Sequence, residues 1–364
     1  MRLNHTIVYH IYITHTRGTQ LISVIFSQAV RTAVTNWRKN MTFEQILDYL
    51  TRPMELGHEL VPKIEDELKK HNCSCANVQA FAWTQPCLKL EAIFQPYELP
   101  DTPTDFFPVP DVEGTAIARV TAIACLAAIN SSAVSYGSEN GGELFVNLVV
   151  FPPGRGKFSD KSAGKMSGHT DGVAFPLRGH QDLENDRIAP SPDFVCLSAL
   201  RNPNLVPTTV MPLEHLMKKL SPEHIKELQK PQYIIGSQLT FRDGMVKILG
   251  EELEVDDAQL LFPMNENWWI RFSHSTTQPA EIDQQPAQEA MDALKSACAD
   301  CIMVIPLKPG DIALVNNRIA LHGRSEPGSE YGGQTRWLLR TYGLDVSDIL
   351  PKQWHEGSTF MLYP

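Results

Sequence analysis

From about residue 140 onward the apolar residues of this chain fall into short runs broken by Gly, Pro and polar clusters, and that pattern limits the folds open to it. Glu143-Leu-Phe-Val-Asn-Leu-Val-Val-Phe151, Phe194-Val-Cys-Leu-Ser-Ala-Leu200 and Pro207-Thr-Thr-Val-Met-Pro212 have strand length and composition. So do Tyr233-Ile-Ile235, Met245-Val-Lys-Ile-Leu249, Gln259-Leu-Leu-Phe262, Trp268-Trp-Ile-Arg-Phe272 and Ile302-Met-Val-Ile-Pro-Leu307. Helical spacing interrupts them at 213–230 and 287–301. Many short strands with helical insertions imply a closed or double-sheet β architecture of the jelly-roll, cupin-like kind. The expected fold is mainly β with helical additions, a double-stranded β-helix core flanked by helices.

The first part of the chain reads differently. Residues 1–40 carry five Arg or Lys and no acid, unlike the remainder, and 4–13 are rich in β-prone residues. We expect an ancillary basic extension there, with Met41 as a candidate start and an organelle leader as the competing reading. Thr42 and Gln45 fit a capping box. Phe43, Ile46, Leu47 and Leu50, then Leu60, Ile64 and Leu68, recur at helical spacing, interrupted by Pro53 and Pro62. Residues 115–129 form a buried helix in this reading. The division is therefore 1–40 as an extension and 41–364 as one domain, with a helical leader over 41–135 and a jelly-roll core over 136–364.

Composition narrows function by exclusion. A net charge of −10 is a poor match for nucleic acid or an anionic membrane, which both call for dense Lys and Arg. The 7 Cys have no framework spacing, which suits a reducing compartment and a cytoplasmic location. Cys298 and Cys301 form a lone CxxC, read as two helix thiols.

Against this background His169-Thr-Asp171 stands out. In extended chain residues i and i+2 share a face, so an imidazole and a carboxylate can converge on one cation. The motif alone is weak: 12 His and 42 acids in 364 residues make one or two such matches expected by chance, and His180-Gln-Asp182 is a second, in a polar loop. The far half comes later. Lys308-Pro-Gly-Asp-Ile-Ala-Leu-Val-Asn-Asn-Arg-Ile-Ala-Leu-His-Gly-Arg-Ser325 reads as turn, strand, turn and a His at a strand start. In Thr335-Arg-Trp-Leu-Leu-Arg-Thr-Tyr342 a strand puts Arg336, Leu338 and Arg340 on one face, and two inward guanidinium groups call for anions. Two His and one carboxylate make the facial triad of non-haem Fe(II) oxygenases.

Taken together, His-Thr-Asp, Pro-Gly-Asp, Asn-Asn-Arg-x-x-x-His-Gly-Arg and Arg-Trp-Leu-x-Arg resemble the clavaminate synthase-like, taurine dioxygenase-related branch of Fe(II)/2-oxoglutarate dioxygenases, which contains several amino-acid hydroxylases. The resemblance covers roughly 140–345. It implies that His169, Asp171 and His322 bind Fe(II), that Arg336 and Thr209 (rather than Thr208) hold 2-oxoglutarate, and that Arg340 faces a substrate carboxylate. Asn147 is a candidate for a substrate amine, against an ordinary strand position, and His274 a candidate pocket residue; Trp268 and Trp269 are either pocket wall or edge packing.

The implied reaction consumes O2 and 2-oxoglutarate, releases succinate and CO2, and hydroxylates an unactivated C–H bond of a free amino acid, lysine or another aliphatic one, or a similar small carboxylate. Relatives acting on arginine carry acids just after the counterpart of Arg271, whereas Phe272-Ser-His-Ser275 follows here, which disfavours a guanidinium substrate. Most of the branch uses Glu where Asp171 stands, and a ligand carboxylate of either length favours hydroxyl transfer over halogenation. The alternatives are a non-catalytic metal-binding jelly-roll module and a zinc hydrolase, the latter without an evident general base.

Overall fold

A computed structural model of the chain describes residues 5–180, 182, 184–264, 267–281 and 284–364, with side chains from residue 21 onward. The side chains of His5, His10 and His15, not expected as ligands, lie outside the described set. The amino-terminal part is a layer of helices: α1 (His5–Arg38), α2 (Phe43–Leu50), α3 (Pro53–Lys69), α4 (Cys75–Ala82) and α5 (Glu113–Ala128). Thr42 caps α2 in the expected reciprocal box with Gln45. Pro53 sits in the first turn of α3, where a missing N–H costs nothing, and Pro62 lies inside α3 instead of breaking it.

The β-prone 4–13 stretch is helical from His5. Farther along the same helix Phe26, Ala29, Val30, Ala33, Val34 and Trp37 form a buried stripe at helical spacing, and tertiary burial outweighs local propensity. The Trp37 indole donates to Glu59 (3.0 Å), and Arg38 pairs with Glu113 (2.6 Å).

These helices cover one face of a seven-stranded sheet, ordered β1 (Cys87–Leu90), β13 (Ile312–Asn316), β5 (Phe194–Arg201), β15 (Trp337–Leu344), β2 (Ser132–Tyr136) and β16 (Met361–Leu362), with β3 (Val146–Leu148) also on β15. The leader is thus not purely helical, since β1 and β2 come from it. A four-stranded sheet runs β12 (Met303–Ile305), β6 (Thr208–Pro212), β14 (Ala320–Arg324) and β4 (Met166–His169). On β5, Phe194 and Cys196 turn to the helices, while Val195 and Leu197 join Val210 and Ala320 of the smaller sheet in a separate core. Strands buried on both faces read as continuous apolar runs, which is why β5 and β13 were legible.

A third core lies outside the smaller sheet, where Met211 and Leu321 meet α7 (Leu213–Met217), α8 (Pro222–Leu228) and α10 (Gln285–Asp300). The remaining strands, β7 (Tyr233–Gly236), β8 (Glu254–Ala258), β9 (Leu261–Met264), β10 (Asn267–Ile270) and β11 (Thr277–Pro279), form two small sheets beside it. Residues 245–249, expected as a strand, complete the helix α9 (Leu239–Leu249). Their apolar members Met245 and Leu249 are four apart and both pack in the inter-sheet core, a helical spacing hidden in a window of five. Cys298 and Cys301 end α10 as free thiols. Among the described residues no helix is long and apolar enough to cross a membrane.

One buried ion pair ties the two halves of the core. Arg318 is 1% exposed; its Nε donates to Asp193 (2.8 Å), and its other nitrogens donate to Ser191 Oγ and the Ser191 carbonyl. Removing one partner leaves a buried charge uncompensated. Asp193→Ala should therefore lower the unfolding free energy by about 3–5 kcal/mol in urea titration; a loss below 1 kcal/mol would mean that the site relaxes or hydrates freely.

Candidate active site

Strands β4 and β14 pair antiparallel with His169 directly opposite His322, and their ring centroids are 4.4 Å apart. The approach depends on Gly323: a Cβ there would lie 2.3 Å from the Met166 carbonyl oxygen. Asp171 follows β4 by two residues, so its carboxylate returns to the same point. His169 Nε2 is 3.4 Å from one Asp171 oxygen and His322 Nε2 is 3.5 Å from the other. One ligand atom from each of the three lies within 4.8 Å of the others, and all three residues are buried.

The tautomer suits a cation. His169 Nδ1 lies 2.9 Å from the Ser167 carbonyl, so Nδ1 carries the proton and Nε2 keeps a lone pair. Burial first, and then the facing His322, keep the His169 imidazole below its usual pKa and hence neutral. For Asp171 burial alone would raise the pKa, but the close His169 and His322 rings and the Arg340 charge hold it well below the usual carboxylate range. Two imidazole nitrogens and one carboxylate, gathered on one side, are the donor set of a mononuclear Fe(II) centre with open positions.

The backbone of the ligand loop is clamped. Asn317 accepts from the Asp171 N–H (2.9 Å) and donates to the Asp171 and Pro192 carbonyls (both 2.9 Å). Gln238 accepts from the Gly172 N–H and donates to the Thr170 carbonyl. The rival His180 is exposed and lies against Phe262, away from these groups.

Beside the triad, between the two sheets, is a cavity lined by Val195, Leu197, Thr208, Arg324, Arg336 and Arg340 among others. Arg336 and Arg340 share it, as their two-strand-repeat spacing implied. Arg336 is 7% exposed and its Nε has no hydrogen-bond partner; burial, then the neighbouring Arg324, pull the guanidinium down to about 9. Arg324 is equally enclosed, also with a partnerless Nε, and burial pulls it down to about 10. Two adjacent buried cations with no acid paired to them among the described residues form a site that needs an anion. Arg340 differs: it donates to Glu139 (2.6 Å) and lies 3.9 Å from Asp171. Burial would lower its pKa, yet Glu139 and Asp171 together raise it.

Three expected contacts need correction. Register puts Thr208, not Thr209, on the site face: His322 opposes Val210 and Arg324 opposes Thr208, so Thr209 points the other way, and Thr208 is the one that lines the cavity. Asn147 is wholly committed to structure, donating to the Asp105 and Pro108 carbonyls and accepting from the Trp337 indole. His274 is bonded through Nδ1 to the Gly168 carbonyl (2.9 Å), behind β4, and does not line the cavity. Trp269 stacks under Arg318 and is likewise no pocket wall.

Arg324 carried a usable signal, since it lies two residues after His322 on one strand. Glu139, Lys161 and Gln238 had none, because what brings them to the site is tertiary placement.

Comparison with known proteins bears on this geometry. Residues 264–342 match the family model described as taurine catabolism dioxygenase TauD, TfdA family. Residues 264–342 thus resemble the TauD/TfdA dioxygenases. It is 26% identical to L-lysine 3-hydroxylase of Catenulispora acidiphila over 278 residues, 73% of this chain and 70% of that protein. Over 75 residues, 21% of this chain and 22% of the relative, it is 35% identical to L-asparagine oxygenase of Streptomyces coelicolor. Among solved structures, the non-heme iron oxygenase OrfP with Fe, succinate and (3S)-hydroxy-L-Arg aligns at TM-score 0.69 and 18% identity over 93% of this chain and 97% of that one. An asparagine oxygenase aligns at 0.64 and 19% with the same coverage. The fold of the chain is therefore that of these oxygenases, and the expected family resemblance is borne out.

If Asn317 positions the Asp171 ligand, Asn317→Ala should weaken Co(II) binding, followed by its visible absorption, by about 10- to 100-fold. An unaltered affinity would assign Asn317 to folding alone.

Proposed function

We propose that the protein is an Fe(II)- and 2-oxoglutarate-dependent oxygenase that hydroxylates an unactivated C–H bond of a free amino acid, releasing succinate and CO2. The observation that carries this reading is the juxtaposition of the His169, Asp171 and His322 donor set with two buried, anion-free arginines in one cavity. A metal-binding module has no use for the second half of that arrangement.

In this reading the three side chains hold Fe(II), and Arg336 binds the distal carboxylate of 2-oxoglutarate through its planar fork, with the Thr208 hydroxyl beside it. When bound, the iron with 2-oxoglutarate and O2 supplies the oxidising chemistry. The chain supplies the rest. Asn317 and Gln238 hold the ligand loop still, the apolar walls from Val195 and Leu197 exclude water, and Arg340 presents its free edge to the substrate carboxylate. Asp171 occupies the position that must be vacated for a halide, so hydroxylation is favoured over halogenation. The hydroxylase names of the relatives, and the OrfP complex with succinate and a hydroxylated arginine, support the same assignment.

The two sheets that enclose the cavity are read as the faces of a double-stranded β-helix, and residues 41–364 as one dioxygenase domain onto which α1 packs. Seven free thiols fit a cytoplasmic enzyme. Lysine is the substrate in the Catenulispora relative's name, so the panel includes it.

Anaerobically iron-loaded protein should form succinate in proportion to a product one oxygen heavier than its amino-acid substrate, as read by mass spectrometry of a panel. Metal binding without 2-oxoglutarate-dependent O2 uptake would return the protein to the binding-module class. Arg336→Gln should raise the 2-oxoglutarate KM about 10- to 100-fold, the cost of one lost charge-assisted pair. Thr208→Val should raise it by a smaller factor than Arg336→Gln, and Thr209→Val should leave it within about twofold; equal effects of the two threonine changes would overturn the register argument.

A further inference from the structure

The charge inside the cavity is unbalanced in a way that bears on the substrate, and its meaning for specificity rests on the oxygenase reading. Among its described lining residues are four cations, Lys161, Arg324, Arg336 and Arg340, and a single acid, Asp171. Arg324 lies beside Arg336 and lowers its pKa. Lys161 lines the same cavity, within electrostatic reach of Asp171, Glu139 and Arg340.

Lys161 lies on the short helix α6 (Lys157–Ala163), and its backbone is pinned. The Lys161 and Gly164 carbonyls accept from Arg324 (3.1 and 2.7 Å), and Ser162 Oγ accepts from the Phe151 N–H (2.9 Å). Its ammonium, by contrast, makes none of the hydrogen bonds or ion pairs found among the described residues. Both acids within electrostatic reach are already engaged: Asp171 by the two histidines, and Glu139 by Arg340 (2.6 Å) and Thr240 (2.7 Å). Burial outweighs their pull and lowers the Lys161 pKa, the mark of a cation short of a partner.

A lysine or arginine side chain placed here would meet the Lys161 ammonium and find no free acid among the described lining residues. A side chain ending in oxygen acceptors would complete the site. We propose that Lys161 reads the substrate's side chain, and that the substrate is an α-amino acid whose side chain ends in a carboxylate or its amide. In that complex Arg340 takes the α-carboxylate and Lys161 donates to the side-chain oxygen.

The test compares L-aspartate, L-glutamate, L-asparagine, L-glutamine, L-lysine, L-arginine and L-norvaline on the iron-loaded full chain and on Lys161→Met and Lys161→Glu. Calorimetric binding of the same amino acids to metal-free protein runs alongside. One of the four acidic or amide amino acids should give the highest kcat/KM. Lys161→Met should reduce it about 10- to 100-fold relative to L-norvaline, the factor for losing one charged hydrogen bond. Lys161→Glu should turn both turnover and calorimetric preference toward L-lysine or L-arginine.

Wild-type preference for a basic amino acid would overturn the inference while leaving the oxygenase reading intact. So would a Lys161→Met effect that falls on the 2-oxoglutarate KM instead of on the amino-acid ratio, or 2-oxoglutarate turnover with none of the four. A protein that neither binds nor consumes 2-oxoglutarate would sink the oxygenase reading, and the inference with it.

Discussion

The close pairing of β4 with β14 is the constraint on which the rest depends. It makes two histidines 153 positions apart in sequence neighbours across a strand pair, with their rings 4.4 Å apart. Nothing larger than glycine at 323 permits it, because a side chain there would be driven into the Met166 carbonyl. The metal donor set is therefore a property of backbone register more than of side-chain flexibility. A slip of one residue would turn His322 out of the site and Leu321 into it.

Electrostatics then divides the cavity. Around the triad charge is compensated, with the Asp171 carboxylate between two histidines and Arg340 between Glu139 and Asp171. At the Arg324 and Arg336 end, like charges are buried side by side. The first arrangement is stable by itself and holds the geometry. The second costs stability until an anion arrives, which makes it a recognition site even though Arg324 also braces α6 through the Lys161 and Gly164 carbonyls. Arg318 shows the contrast: it is buried more deeply still, but Asp193 and Ser191 satisfy it, and its role is to hold β13 and the following turn against the loop that precedes β5.

The sequence revealed the parts of this that are periodic. Apolar runs marked β5, β6, β13 and β15 because both faces are buried, and the spacing of Arg336 and Arg340 gave a shared face directly. It did not reveal which of two adjacent threonines turns inward, because that depends on pairing with β14, a partner more than a hundred residues away. Asn147 looked like a pocket residue because the strand was right. Its amide went instead to the turn around Pro108 and to the Trp337 indole, contacts with no local signature. The helix α1 was missed for a related reason: β-prone residues at its start masked the buried stripe from Phe26 to Trp37.

Asp171 is where these constraints meet. Aspartate is one methylene shorter than the glutamate that the resembling oxygenases mostly use, so its backbone must come closer to the histidines for the carboxylate to reach between them. Such an approach cannot be left to a loose turn. It is held by Asn317 on both the N–H and the carbonyl of Asp171, and by Gln238 on the residues either side. Asn317 sits immediately before Arg318, so the buried ion pair that secures the core also fixes the clamp. The ligand's shortness, the doubled asparagine of the Asn-Asn-Arg motif and the buried arginine are thus parts of one mechanical arrangement. It transmits the rigidity of the larger sheet to the metal site in the smaller one.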